Sequence, residues 1–158
     1  MNFASDSGKL RILLVETEVN DYAAMRLLIM EIAPHQTDIF WSQAYAFALN
    51  DVRRKPLDLI MINFYLGRYR NGFALAEELR GRGCKLPIVL FGRSEALADL
   101  PMQSNVDILN LDRKLPEQLR HILHDQLGRI APRQAARLRS ITTTEAEVGE
   151  VSEVSASR

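Results

Sequence analysis

Asp58–Asn63 reads DLIMIN, four consecutive apolar side chains held between an acid and an amide. A strand with one wet face alternates apolar and polar residues, so an unbroken run of this length fits a strand covered on both faces. Shorter runs of the same kind lie on either side: Arg11–Glu16 (RILLVE), Asp38–Ser42 (DIFWS), Leu86–Phe91 (LPIVLF) and Asp107–Leu111 (DILNL). The stretches between them change to helical spacing. Asn20–Ile32 opens on a capping residue and puts Met25, Leu28, Ile29 and Ile32 on one stripe. Ala44–Lys55 has Ala44, Phe47, Ala48 and Val52 in phase, and Phe73–Arg82 is stopped by Gly81 and Gly83. Glu95–Leu100 is short and cut by Pro101, and Leu115–Leu127 turns Leu119, Ile122, Leu123 and Leu127 inward with Gly128 at its end. Trp41, Phe47 and Phe73 are expected in the core.

Five strands each followed by a helix require right-handed parallel crossovers, hence an α/β, doubly wound, five-stranded parallel sheet. Ligands of such folds sit beyond the carboxyl ends of the strands. The residues to weigh are therefore those at 16–18, 63–72, 92–95 and 111–114.

The chain has 158 residues and balances 20 Lys and Arg against 20 Asp and Glu. That length fits one domain, and zero net charge argues against bulk binding to nucleic acid or an anionic membrane. The balance is uneven along the chain: residues 1–128 are nearly neutral, 129–139 carry four Arg and no acid, and 140–158 carry four Glu and one Arg. Cys84 is the only cysteine, which excludes an internal disulfide and a cysteine metal cluster. His121 and His124 share a helical face with no third ligand at a recognisable spacing, so they read as solvated. No secretory or membrane-spanning run is visible, and a cytoplasmic protein is expected.

The segments ILLVETEVNDY, DLIMINFYLG, LPIVLFG and DILNLDRKLPEQL together resemble the receiver domain of two-component response regulators over about residues 9–128. The resemblance implies a flavodoxin-like (βα)5 sandwich. It also implies phosphoryl transfer from a histidine kinase to an aspartate at the end of the third strand, assisted by Mg²⁺. The positions that carry this chemistry depart from the pattern. The acidic pair after the first strand reads Glu16-Thr17, and Glu18 falls one residue too far along. Asn63 stands at the phosphoacceptor position, and its neutral amide cannot form an acyl phosphate. Gly92 replaces the hydroxyl residue. Leu111 replaces the lysine (Asp112 if the register slips by one), Lys114 lies too far along, and Ile108 replaces the switching aromatic. Positioning and charge neutralisation are both dismantled. The expectation is a stand-alone pseudo-receiver, not an enzyme, without metal or cofactor, acting as a phosphorylation-independent adaptor in bacterial signalling.

Two alternatives stand beside it: a divergent receiver that still accepts phosphate, and a ligand sensor. The second rests on Arg68, Arg70, Arg93, Arg113 and Lys114, five cations in the loops where the family holds acids, suited to an anion or an acidic partner. The expected partner is a signalling protein, a histidine kinase or an effector, with the chain a monomer or weak homodimer. Its contact surface is sought on the face of the fourth helix, fifth strand and fifth helix, with Met102 near Pro101, or on the first-helix face bearing Tyr22 and Arg26. Phe64 and Tyr69 beside the old site are further contact candidates. A flexible N-terminus (1–8), a basic extension (129–140) and a disordered acidic tail (141–158) flank the domain (9–128). Arg129, Arg133 and Arg137 are spaced by four, and Pro132 interrupts them. No helix-turn-helix, cyclase or phosphodiesterase module follows, so output is expected through another protein.

Overall fold

The computed structural model describes residues 8–68, 70–101 and 105–154, and over 144–154 the backbone alone. Its elements alternate: β1 (Leu10–Val15), α1 (Val19–Ile32), β2 (Thr37–Ser42), α2 (Tyr45–Arg54), β3 (Leu59–Asn63), α3 (Gly72–Gly81), β4 (Ile88–Gly92), α4 (Ser94–Leu97), β5 (Asp107–Asn110) and α5 (Leu115–Val154). The strands form one parallel sheet in the order β2-β1-β3-β4-β5. This is the flavodoxin-like α/β fold expected. DLIMIN lies in its middle, with every residue of β3 buried.

The period of two along the strands separates two cores. Leu59 and Met61 of β3 face α1 and α5, where Ile12 and Leu14 of β1 meet Met25, Ile29, Leu119 and Leu123. Ile60 and Ile62 face α2 and α3 and pack with Leu13, Val15, Leu75 and Leu79. Trp41 is half-buried, and Phe73 packs against the second core.

Three helices differ from expectation. The residue before α1 is Glu18, which makes no side-chain cap bond, so Asn20 lies inside the helix instead of capping it. In α2 the inward residues are Tyr45 and Ala48, with Leu49 and Val52 beside them, and Phe47 is 62% exposed. The Tyr45 hydroxyl donates to Glu78 (2.5 Å) and lies 3.2 Å from the Ala74 carbonyl, which fixes the helix with Tyr45 toward α3 and Phe47 outward.

The largest difference is α5, which does not stop at Gly128. It runs through Pro132 and on to Val154, so neither a separate basic extension nor a disordered stretch over 141–154 is found. Residues 155–158 and 1–7 lie outside the described residues. Proline cannot donate to the Gly128 carbonyl, at a cost of about 3 kcal/mol in a helix interior. Body contacts on both sides of the break oppose that loss. Gln126 and Ile130 are buried. Arg133 reaches Asp58 at 2.5 Å, and the Gln134 amide donates to the Gly8 carbonyl. Arg11 holds the same Asp58 through its backbone N–H and its guanidinium, at 2.9–3.1 Å. Beyond this point propagation needs no new nucleus, and Ser140, Thr142 and Thr143 bond back to carbonyls one turn earlier. Among the described residues no helix is long and apolar enough to cross a membrane.

Candidate functional site

The register that pairs Val15 with Ile62 brings the next residues, Glu16 and Asn63, together at the carboxyl edge of the sheet. Glu16 is 1% exposed and Asn63 is 9% exposed. The Asn63 amide Nδ2 donates to Glu16 Oε2, and Asn63 Oδ1 accepts the Tyr65 backbone N–H at 2.9 Å. The opposite amide orientation would face oxygen with oxygen and donor with donor, so the network fixes it. The other Glu16 oxygen accepts the Glu18 N–H at 3.0 Å. Burial pushes the Glu16 carboxyl above its ordinary value, and the bonds from Asn63 and the Glu18 and Thr17 backbone only partly oppose this.

The remaining positions close in similarly. A Cβ on Gly92 would lie 3.1 Å from the Cβ of Phe64 and 3.6 Å from the Leu97 side chain, so the position of the missing hydroxyl residue is tightly bordered. Leu111 donates its N–H to the Gly92 carbonyl at 2.8 Å, and its side chain lines a cavity. Asp112, the neighbour in the shifted register, accepts the Ser94 N–H at 2.7 Å and lies 3.7 Å from Arg93. That Ser94 bond and nearby Arg93 hold its carboxyl below the ordinary value. Ile108 stands 43% exposed on the edge strand β5. Thr17 is half-buried at the cavity wall.

Mg²⁺ demands near-octahedral oxygen coordination. One buried carboxylate faces this site, both of its oxygens accept hydrogen bonds, and the Asn63 oxygen is committed to Tyr65. The residues present do not fit the ion. Among the described residues no cluster of His, Cys, Asp and Glu is suited to hold a metal.

The cavity above the pair has a volume of about 750 Å³. Four carboxylates (Glu16, Glu18, Asp21 and Glu31) line it with a single guanidinium, Arg93, over a wall that includes Met25, Leu28, Leu111 and Leu115. The expected five-cation edge is not assembled. Arg70 sits on the other side of the loop, its guanidinium 4.6 Å from the centre of the Tyr45 ring. Lys114 lies 3.9 Å from Glu117, Arg113 engages Gln118 through its carbonyl, and Arg68 is exposed outside the cavity lining. The β3–α3 loop decides this outcome. It folds back so that Gly72 donates to the Phe64 carbonyl at 2.7 Å, and a Cβ there would collide with the Asn63 carbonyl oxygen. Only glycine allows that approach.

Of the proposed contact residues, Phe64 packs against the second core and Tyr69 and Met102 lie outside the described residues. Tyr22 is stacked on Trp41, ring centres 4.2 Å apart, while Arg26 is exposed. The acids Asp21 and Glu31 went unread as site residues. Their spacing along α1 with Leu28 was the available signal, since it places acid and apolar groups on neighbouring turns.

No protein-family model matches the chain, and no curated protein matches it. Solved structures do. A sensor protein from Polaromonas sp. JS666 is 22% identical with a TM-score of 0.63, covering 77% of this chain and 98% of its own. The receiver domain of an HD domain-containing protein from Pseudomonas fluorescens Pf-5 is 16% identical with a TM-score of 0.64, covering 85% and 98%. The receiver domain of a sensor histidine kinase from Pseudomonas aeruginosa PAO1, solved with a magnesium ion coordinated in its active-site cleft, is 19% identical with a TM-score of 0.63, covering 76% and 98%. These likenesses show that the chain has the receiver-domain fold.

Proposed function

We propose that this protein is a phosphorylation-independent pseudo-receiver that works by binding a signalling protein in the cytoplasm and catalyses no reaction of its own. The observation that carries this reading is the closed Glu16–Asn63 pair: the amide supplies to the buried carboxylate the bond that a metal would otherwise supply. Gly92 and Leu111 support it, because one leaves no hydroxyl and the other puts hydrocarbon where a phosphoryl group would need a cation. An anion sensor draws no support from the scattered cations. The acidic and apolar cavity suits a partner that presents Lys or Arg beside apolar side chains.

The test is incubation with acetyl phosphate, and separately with beryllofluoride, each with Mg²⁺. Intact-mass measurement is expected to show no added phosphoryl group, and the fluorescence is expected to show no saturable change. A phosphorylated species of the parent would overturn the reading.

A further inference from the structure

The far half of α5 has no place in that reading. The Gln134 side chain bonds to the body at Gly8, and twenty further residues continue as helix to Val154. At 1.5 Å per residue this arm is roughly 30 Å long. Its composition suits an isolated helix poorly: Thr142, Thr143, Thr144, Val148 and Val151 are β-branched, and Gly149 interrupts them. Leu138 and Ile141 are 66% and 46% exposed. A helix of this kind needs a partner to cover it.

Two features say what the partner is. The arm carries Arg137 and Arg139 before its midpoint and Glu145 and Glu147 after it. Set antiparallel to a second copy about Thr142, the sequence places Arg139 level with Glu145, both within about 60° of Thr142 around the helix. A parallel pairing in register would set like charges side by side. The second feature is a groove of about 520 Å³ where the arm leaves the body, lined by Lys9, His35 and Arg137 together with Leu127, Leu138 and Ile141. It is basic and apolar, and the end of the arm, EAEVGEVSEV over 145–154, is acidic and apolar. The chain cannot fill its own groove while the helix is continuous, because Val154 lies roughly 20 Å along the axis from Ile141. A second copy running in the opposite direction delivers its acidic end there.

We propose that the projecting half of α5 is a dimerisation arm: two copies pair antiparallel about Thr142, and the acidic end of each lies in the basic groove of the other. The inference is independent of whether the receiver site accepts phosphate.

Sedimentation equilibrium of the full chain tests it. The parent is expected at the mass of two chains, dissociating as salt is raised. Reversing one half of the pattern, either Arg139→Glu or Glu145→Lys, is expected to raise the dimer dissociation constant about tenfold. Combining Arg139→Glu and Glu145→Lys in one chain restores complementarity and is expected to restore the dimer. A single-chain mass for the parent at about 100 µM would overturn the proposal, including in favour of a tail folded back on its own body. So would dimers unweakened by either reversal, or a double variant no tighter than the single reversals, because both results deny the antiparallel match.

Discussion

At Asn63 an amide and a carboxylate share one buried site, and the exchange of a single group would change its balance. In Asn63→Asp the Glu16 carboxylate would face a second carboxylate with no donor between them. The variant is expected to be about 1–3 kcal/mol less stable near neutral pH. Two carboxyls in one site raise each other's affinity for protons, so the folded state binds protons more readily than the unfolded one. Stability then falls as pH rises above the unfolded values, and the gap from the parent closes on acidification. Urea denaturation of both proteins across the acidic range checks the sign. In the parent, Glu16 already acts in that direction: its raised value weakens the fold as pH climbs above 4.5. Gly92 gives a second measurement. Gly92→Thr would restore the family residue into space held by Phe64 and Leu97, and it is expected to cost about 1–3 kcal/mol instead of conferring activity.

Among the elements, the strands were legible because their signal is local. LIMIN and IVLFG are too apolar to stand anywhere but between two helical layers, and each lies within two residues of its expected position. The continuation of α5 was not legible, because its support is distant. Arg133 meets an aspartate 75 residues earlier, and no pattern around Pro132 announces that contact. The same holds for the loop cations: Arg70 goes to Tyr45, and the Gly72 approach that directs it cannot be read from spacing. The Arg11–Asp58–Arg133 cluster gives this element its own test. Burial alone would raise the Asp58 value, but the bonds from Arg11 and Arg133 outweigh burial and hold it below 3.8. Its contribution is therefore present above that pH and lost as the pH falls through the depressed folded value. Arg133→Ala is expected to cost about 1 kcal/mol, discounted because half of the arginine is exposed, and to speed amide exchange in α5 beyond Gly128.

On the scale of the whole molecule, the two ends of the sheet do different work. The carboxyl edge keeps a cavity with an acidic rim, and the amino edge anchors a helix that leaves the body. Body and arm are therefore separable. Truncation after Arg139 keeps the bonds of Arg133 to Asp58 and of Gln134 to Gly8, and the shortened chain is expected to keep its denaturation midpoint at low protein concentration while losing self-association. Matched urea titrations and sedimentation runs on the two lengths check this.

The chain contains one tryptophan. Trp41 lies flat against Tyr22 and donates its indole N–H to the Glu16 carbonyl at 2.8 Å. The only indole emission of the protein thus originates beside Glu16, the residue that Asn63 holds. A partner that displaces α1 or draws on Glu16 would report its arrival in the intrinsic spectrum, without any label attached.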